Sequence, residues 1–205
     1  MGEEEQGSEA RNGRQAVPRR SGPCGDESGC PANSRTERNG VCEDDMRRID
    51  KENYYLDIAE TVLERSTCLR RCYGAIIVQH DEIVSSGYNG APRGRKNCMD
   101  LAYCTREAMN IPSGERYELC RSVHAEANAI ISAARSEVLG ATLYMACKDP
   151  KTGELIPGST SCSMCRRLII NAGIERVVIR DTKTEYSVVH VEDWVREDDS
   201  LPQKE

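Results

Sequence analysis

Residues 124–147 read HAEANAIISAARSEVLGATLYMAC, and residues 162–173 read CSMCRRLIINAG. The alanine-rich first half of the earlier stretch favours a helix over 124–135, and the apolar run 141–147 predicts a strand. The later stretch predicts a second helix closed by Gly173, since glycine readily adopts the left-handed conformation that ends many helices. A helix, a strand and another helix in this order indicate an α/β fold with parallel strand pairing across the second helix.

The flanking segments complete a mixed sheet. Residues 52–66 have the apolar spacing of an amphipathic helix of about four turns. Residues 74–78 and 82–89 predict two strands joined by a tight turn. RVVIRD and YSVVHV, at 176–181 and 186–191, predict two more strands before a short terminal helix. We therefore predict a three-layer α/β fold, a mixed five-stranded sheet flanked by helices.

Composition excludes several classes of protein. The chain has 205 residues, 38% of them hydrophobic and 30% charged. That is enough for one domain with its own core. Its 28 basic and 34 acidic side chains give a formal net charge of −6, which argues against a nucleic-acid polymer as partner. No apolar run is long enough for a membrane span, and the first residues lack the apolar core of a signal peptide. We expect a cytoplasmic protein without membrane partners, in which the 11 cysteines stay reduced and clustered cysteines indicate metal binding or catalysis.

The chain divides near Met46. Residues 1–45 contain too few large apolar side chains to offset the entropy of ordering, so we expect a disordered N-terminal tail. Residues 46–205 then form the domain. Within it, the polar segment 90–123 carries cysteines and lacks clear periodicity, which we interpret as an insert.

Reactive side chains stand at the starts of the two helices. His124 opens the first, and Cys162 and Cys165 open the second. One imidazole and two thiolates would hold zinc with an open fourth position, the arrangement of a catalytic zinc. Glu126 could then move a proton to and from water at that position without binding the metal. The order H-x-E followed by C-x2-C is the signature of zinc-dependent nucleobase deaminases, whereas an ordinary helix histidine with two buried cysteines is the simpler alternative.

Longer stretches resemble the deoxycytidylate (dCMP) deaminase family over about residues 50–180. They are CLRRCYGAIIV, IVSSGYNGAPRG, RYELCRSVHAEANAI and GATLYMA. The resemblance implies a cytidine-deaminase-like fold and the hydrolysis of dCMP to dUMP and ammonia, which would supply dUMP for thymidylate synthesis. It also implies a homo-oligomer, often a hexamer, and in some members activation by dCTP and inhibition by dTTP.

The resemblance also assigns roles to individual residues. It implies zinc coordination by His124, Cys162 and Cys165, and proton transfer by Glu126. The family contacts its substrate through residues that match Asn89, which would hydrogen-bond the sugar, and Ala125.

One position departs from the family. Ser161 stands where the family usually has proline before the first zinc cysteine, and the loop 148–160 separates the cysteine pair from its strand. Proline would fix φ at the helix start, and we expect Ser161 to serve as the N-cap instead. The change bears on the rim of the pocket, and so on the choice of substrate.

Three cations follow Asn89 within one loop: Arg93, Arg95 and Lys96. A guanidinium group can contact a phosphate through two hydrogen bonds, so we predict that Arg93 or Arg95 binds the substrate phosphate. The alternatives are a solvated basic loop, or a contact with an effector nucleotide or a neighbouring subunit.

Four further cysteines border the insert: Cys68, Cys98, Cys104 and Cys120. Some family members bind a second zinc, and Cys68 and Cys98 match ligands of it. Four thiolates would close a tetrahedral structural site and join the insert to the first helix. Cys72 could replace one of them, because it lies one helical turn from Cys68. The alternative is a set of buried, reduced thiols.

Two other functions stay open. One is a zinc deaminase that acts on a different cytosine nucleoside or nucleotide, or on a tRNA base, although the acidic balance disfavours tRNA. The other is a non-catalytic, DNA-uptake-associated member of the family. Glu126 argues against the second, because a protein without catalysis needs no proton carrier.

Overall fold

A computed structural model of the protein describes residues 48–197. The predicted disordered tail, 1–45, lies outside the described residues. Within 48–197 no helix combines the length and the apolar character needed to cross a bilayer.

A mixed five-stranded sheet forms the centre. Its strands are β1 (Cys72–Gln79), β2 (Glu82–Tyr88), β3 (Thr142–Lys148), β4 (Arg176–Arg180) and β5 (Tyr186–His190). Their order in the sheet is β2-β1-β3-β4-β5, and every neighbouring pair is antiparallel except β3 and β4. A helix connects that one parallel pair, because parallel neighbours need a crossover. The predicted mixed five-stranded α/β fold is confirmed.

The helices cover the sheet and the connections. They are α1 (Lys51–Leu63), α2 (Cys98–Leu101), α3 (Thr105–Ala108), α4 (Ala125–Ile131), α5 (Arg135–Val138), α6 (Ser163–Ala172) and α7 (Val191–Arg196). The helix predicted over 124–135 is in fact two, because Ala134 is extended and its N–H group is capped by Glu137 at the start of α5. The predicted insert contains α2, α3 and a single 3-10 turn, Tyr117–Leu119. Gly173 ends α6 with a φ of 80°, as predicted.

The two faces of the sheet carry separate apolar clusters. Successive strand residues point to opposite faces, so Ile76 packs beneath α1 while its neighbour Ile77 packs on the other side. Leu143 and Tyr144 divide between the faces in the same way. Cys72 is buried in the α1 cluster. Since the chain has no phenylalanine, both clusters are mainly aliphatic.

Two glycines let helices approach the sheet closely. A Cβ atom on Gly87 would lie 2.3 Å from the carbonyl oxygen of Ala125, which is the first residue of α4. On the opposite face, a Cβ atom on Gly74 would lie 2.2 Å from the carbonyl oxygen of Ala59 in α1. Gly87 therefore sets how near α4, which carries the predicted proton carrier Glu126, lies to β2.

The β1–β2 hairpin contains a bulge. His80 and Asp81 form its two-residue turn, with φ values of 52° and 69°. Positive φ at both central residues is the conformation of a type I′ turn. Val78 pairs with Ile83 but Ile77 pairs with Ser85, so Val84 is an extra residue. Beyond the bulge the register continues regularly toward the end of β2.

Candidate active site

Two helix starts bring a histidine and two cysteines together. His124 and Cys162 are the N-cap residues of α4 and α6, with extended backbones and no side-chain bond to the helix. Nδ1 of His124 lies 3.4 Å from Sγ of Cys162 and 3.4 Å from Sγ of Cys165. The three ligand atoms lie within 4.8 Å of one another, and residues 48–197 contain no other cluster of this kind. The structure thus gathers the three residues for which zinc binding was predicted.

The chemistry of these donors fits zinc. Hydrogen bonding from Cys165, together with His124, outweighs burial and lowers the pKa of Cys162, whereas hydrogen bonding with Cys162 and burial raise the pKa of Cys165. Burial favours the neutral ring of His124, but hydrogen bonds with Cys120 and Cys162 outweigh it and raise the pKa of His124 to about 10, so zinc binding would displace the ring proton. One imidazole and two sulfurs, with a thiolate already favoured, are ligands that zinc prefers. The cluster is therefore a zinc site.

Glu126 lies beside this cluster. It belongs to the first turn of α4 and is only 3% exposed. Burial raises the pKa of its carboxyl group, an effect that its own backbone amide and the charge of His124 partly offset. Glu126 lines the same cavity as His124 and Cys162. The carboxyl group thus reaches the space in front of the zinc ligands while it is shielded from bulk water.

Ser161 does not cap α6, so that prediction was wrong. The N-cap is Cys162, with φ −69° and ψ 163°, because the zinc ligand itself is the last extended residue before the helix. Ser161 is 1% exposed, and its hydroxyl lies 3.6 Å from Sδ of Met145. The same hydroxyl is a polar neighbour of the Glu126 carboxyl group and tends to lower the pKa of that group.

A cavity of about 320 Å³ opens in front of the zinc ligands. Its wall includes Tyr73, whose pKa is raised by burial and by its contact with the Cys147 thiol. Cations also line it: Arg70, Arg71, Arg106 and Lys151. A space that joins a metal site to several positive charges suits a small anionic molecule.

The predicted phosphate ligands lie elsewhere. Arg93 and Arg95 are exposed, as is Lys96, and none of the three lines the cavity. Arg70 and Arg71 directly precede β1, and β1 pairs with the strand that leads into Asn89. Sequence reasoning missed them, although two adjacent arginines before a central strand were a visible signal.

Asn89 lies in the cavity wall and is 5% exposed. Its Oδ1 accepts hydrogen bonds from the Ser66 hydroxyl at 2.6 Å and from the Tyr73 N–H group at 2.8 Å. Its Nδ2 donates to the carbonyl oxygen of Arg71 at 2.8 Å. One N–H bond of the amide remains for a ligand. Ala125, the other predicted contact, is 1% exposed and does not line the cavity.

The insert packs against the zinc ligand. The Tyr117 ring meets the His124 ring edge-on, with centroids 5.2 Å apart and an interplanar angle of 88°. The Arg106 guanidinium lies 4.3 Å from the centre of the Tyr117 ring. Arg106 is buried, and it donates to the carbonyl oxygens of Pro112 at 2.7 Å and Glu115 at 2.6 Å. Neither Tyr117 nor Arg106 was found from the sequence, because their roles depend on how the insert folds back.

The four cysteines of the predicted second zinc site lie in one region. Cys68, Cys104 and Cys120 line the cavity, and Cys98 is buried at the start of α2. Burial raises the pKa of Cys98, and the charges of the other three thiols add to this effect. Burial tends to raise the pKa of Cys120, but His124 outweighs it, so the pKa of Cys120 is lowered. Among the described residues these thiols do not form a second cluster with the geometry of metal ligands, so the second zinc stays a prediction.

The fold and the zinc cluster define a zinc-dependent deaminase of the cytidine-deaminase type, with the glutamate that this class uses beside the metal. Residues 49–181 match the family model of the cytidine and deoxycytidylate deaminase zinc-binding region. The chain therefore belongs to this family of hydrolytic deaminases, as its sequence resemblance indicated.

Individual relatives cover the chain to different extents. The deoxycytidylate deaminase of Mycobacterium phage D29 is 37% identical over 138 residues, which are 65% of this chain and 96% of the phage protein. The deoxycytidylate deaminase of Schizosaccharomyces pombe is 30% identical over 127 residues, 62% of this chain, and the chain spans only 36% of that relative's length. A crystal structure of the dCMP deaminase from the cyanophage S-TIM5 in complex with dCMP and dUMP aligns with a TM-score of 0.44 and 26% identity, covering 65% of this chain and 84% of that chain.

Proposed function

We propose that this chain hydrolyses dCMP to dUMP and ammonia. The observation that carries the proposal is one cavity that joins the zinc cluster and Glu126 to several cationic side chains. The metal and the carboxyl group suit hydrolytic deamination of a base, and the positive charges suit a nucleotide rather than a nucleoside. Relatives that carry the name deoxycytidylate deaminase support dCMP as that nucleotide.

The zinc cofactor would be held by His124, Cys162 and Cys165, and when bound it supplies the acidity that makes water a nucleophile at neutral pH. Glu126 accepts the proton that water loses and delivers it to N3 of the cytosine ring while the oxygen adds to C4. Glu126 then carries the remaining hydroxyl proton to the amino group. The C4–N bond breaks, ammonia leaves, and the C4 carbonyl of uracil forms.

The surroundings of Glu126 support this role. Its near-complete burial keeps bulk water from competing for the proton, and the Ser161 hydroxyl is a polar neighbour of the carboxyl group. Asn89 lines the cavity, and Nδ2 makes one hydrogen bond with the described residues, so its second N–H bond can donate to a sugar hydroxyl. Base chemistry and sugar recognition would therefore take place in the same enclosed space.

Loss of ultraviolet absorbance of cytosine tests the proposal. The zinc-containing protein is assayed with dCMP, CMP, deoxycytidine and dCTP as separate substrates. We expect the highest kcat/KM with dCMP. An equal or higher kcat/KM with another cytosine compound would show that dCMP is not the preferred substrate. The absence of turnover with all four compounds would favour the non-catalytic alternative.

Glu126→Gln tests the proton carrier. We expect kcat to fall by about 10²–10⁴-fold while the zinc content stays at the parent value, because the amide cannot exchange protons. Glu82→Gln is the matched control, since Glu82 is exposed on β2 and away from the cavity. Near-parent turnover by Glu126→Gln would rule out this mechanism.

The remaining predictions of the family resemblance belong to this proposal. They are a supply of dUMP for thymidylate synthesis, a homo-oligomeric state, and regulation by dCTP and dTTP. Size determination in solution, and kinetics with each effector nucleotide present, test them directly.

A further inference from the structure

The side chain of His124 is not fixed by its own helix. His124 is the N-cap of α4, with an extended backbone and no side-chain hydrogen bond to the helix. Its Nδ1 nevertheless lies 3.4 Å from the sulfur atoms of both Cys162 and Cys165. Rotation about the side-chain bonds would move Nδ1 away from the two sulfur atoms. Zinc binding therefore needs a neighbour that holds the imidazole ring in this orientation.

Tyr117 is such a neighbour. Its ring meets the imidazole ring of His124 edge-on, with the centroids 5.2 Å apart and the planes at 88°. This is a favoured arrangement of two aromatic rings, because the positive edge of one ring faces the negative face of the other. Tyr117 is half-buried and lines the same cavity as His124. An imidazole ring that turned out of its present orientation would break this contact.

Tyr117 is itself held by Arg106. The guanidinium group lies over the Tyr117 ring, 4.3 Å from its centre, where the ring face attracts a cation. Arg106 is only 6% exposed, and its Nη2 donates to the carbonyl oxygens of Pro112 at 2.7 Å and Glu115 at 2.6 Å. These two carbonyl groups belong to the segment that leads into Tyr117. One guanidinium group thus holds both the ring and the backbone that precedes it.

The backbone between the two rings is anchored at both ends. The Cys120 N–H group donates to the carbonyl oxygen of Tyr117 at 2.9 Å and closes the 3-10 turn. Just before His124, Val123 exchanges two backbone hydrogen bonds with Gly90, at 2.8 Å and 3.1 Å. The contact between the rings therefore joins two supported positions, as a neighbour that orients a metal ligand should.

We propose that Tyr117 is a positioning residue, which holds the imidazole ring of His124 in the orientation that binds zinc, and that Arg106 acts through Tyr117. This role depends on the zinc site and not on which compound the site deaminates. The insert 90–123 would then contribute to zinc binding at the active site through a ring contact, without supplying a ligand to that metal.

Zinc affinity and the visible spectrum of the cobalt-substituted protein test this role. Competition with a chromogenic chelator gives the zinc affinity, and the d–d bands of cobalt report the geometry of its ligands. Cys165→Ser gives the signal of any other metal site, which is subtracted. For Tyr117→Leu we expect the zinc affinity to fall about 2–10-fold, as for loss of one aromatic pair, and the cobalt bands to shift. Tyr117→Phe keeps the ring and should retain both parent values.

Tyr103→Leu is the matched control. Tyr103 is an exposed tyrosine of the same insert and does not line the cavity, so the same substitution should leave zinc affinity and cobalt bands unchanged. If Tyr117→Leu does not fold, Tyr117→Met gives the same comparison, because methionine keeps apolar bulk without a flat ring. Parent-like zinc affinity and cobalt bands in a folded Tyr117→Leu or Tyr117→Met would overturn the role of Tyr117.

A double variant tests the role of Arg106. Arg106→Gln alone should weaken zinc binding, but it should cause no further loss when it is added to Tyr117→Leu. Losses of zinc affinity that simply add would show that Arg106 does not act through Tyr117. A protein that shows the expected zinc affinities but deaminates no cytosine compound would disprove the proposed function and leave the role of Tyr117 intact.

Discussion

The side chain of Asn89 donates a 2.8 Å hydrogen bond to the carbonyl oxygen of Arg71 and so joins the end of β2 to the segment that leads into β1. The same amide accepts from the Ser66 hydroxyl and the Tyr73 N–H group. A residue that the family resemblance assigns to substrate binding is thus also part of the scaffold. Loss of Asn89 should therefore affect stability and kinetics together.

Asn89→Ala tests this double role. We expect the free energy of unfolding to fall by about 1–3 kcal/mol, because the Tyr73 N–H group loses its acceptor. The kcat/KM for dCMP should fall more than stability alone explains. Ser66→Ala is the matched control, since it removes one bond to Asn89 but keeps the amide in the cavity wall. Denaturant unfolding and steady-state kinetics measure the two effects, and equal kinetic losses in both variants would show that Asn89 is purely structural.

Gly87→Ala should displace α4. The new Cβ atom would lie 2.3 Å from the Ala125 carbonyl oxygen and 2.4 Å from the Ala129 nitrogen, so the helix that carries Glu126 must move. We expect a loss of about 1–3 kcal/mol in stability, as for overpacked cores, with lower zinc affinity and lower kcat.

Gly74→Ala is the control for Gly87→Ala. Its Cβ atom would lie 2.2 Å from the Ala59 carbonyl oxygen and 2.5 Å from the Leu63 nitrogen, so the same change acts on the opposite face. We expect comparable destabilisation with near-parent zinc affinity. Thermal melts and zinc titration test both variants, and similar zinc affinities in the two would contradict a special role for the Gly87 contact.

Glu60 should make the stability of the folded protein depend on pH. Burial raises the pKa of this carboxyl group, but Nζ of Lys148 at 2.7 Å and Nζ of Lys183 at 2.8 Å outweigh burial, so the net pKa is lowered. The folded state thus favours the ionised form. The contribution of Glu60 to the free energy of unfolding is present at pH values above the ordinary pKa of 4.5. It is lost as the pH falls below that value and through the lowered pKa of the folded state.

Glu60→Gln tests that contribution. At pH 7 we expect it to lower the free energy of unfolding by about 1.5–3 kcal/mol, as for loss of hydrogen bonds to charged groups. The difference from the parent should shrink as the pH falls from about 5 toward 3. Glu64→Gln, an exposed position in the same region of the chain, should show no such trend. A difference that stays constant with pH would mean that the ion pairs are not its cause.

Zinc content tests the two groups of cysteines. We expect elemental analysis to give two zinc ions per chain in the parent protein. Cys165→Ser and Cys98→Ser should each retain one zinc ion, and deaminase activity should be lost only in Cys165→Ser. Chelation of the metals should lower the melting temperature, and added zinc should restore it. A single zinc in the parent would remove the second site and leave its thiols as reduced side chains.

The sequence predicts the elements that its own periodicity and turns define. The helix at 52–66, the hairpin and the strand–helix–strand unit around α6 all depend on local spacing, and all occur. The zinc ligands could be found because His124 and Cys162 lie at helix starts. The helices α4 and α6 follow β2 and β3, which both run antiparallel to β1 and so end at the same edge of the sheet.

The cations that line the cavity could not be predicted in the same way. Proximity along the chain to Asn89 pointed to Arg93 and Arg95, but the neighbours of Asn89 in space come from the adjacent strand through Arg71 and Tyr73. Strand pairing is a non-local property, and only the register relates these positions. The prediction that Ser161 caps α6 failed for a different reason. The next residue, Cys162, is both the N-cap of α6 and a zinc ligand.

The bulge at Val84 separates the turn end of the β1–β2 hairpin from the end that leads into Asn89. On the turn side, Val78 pairs with Ile83; on the other side, Ile77 pairs with Ser85. Removing Val84 would therefore leave every pair from Ser85 onward unchanged, whereas removing a residue between Ser85 and Tyr88 would move Asn89 by one position and turn its side chain to the opposite face. Chain-length variation is thus tolerable at this one point. The outer part of the hairpin can change in evolution, or be extended by design, while the alignment of Asn89 with the cavity is kept.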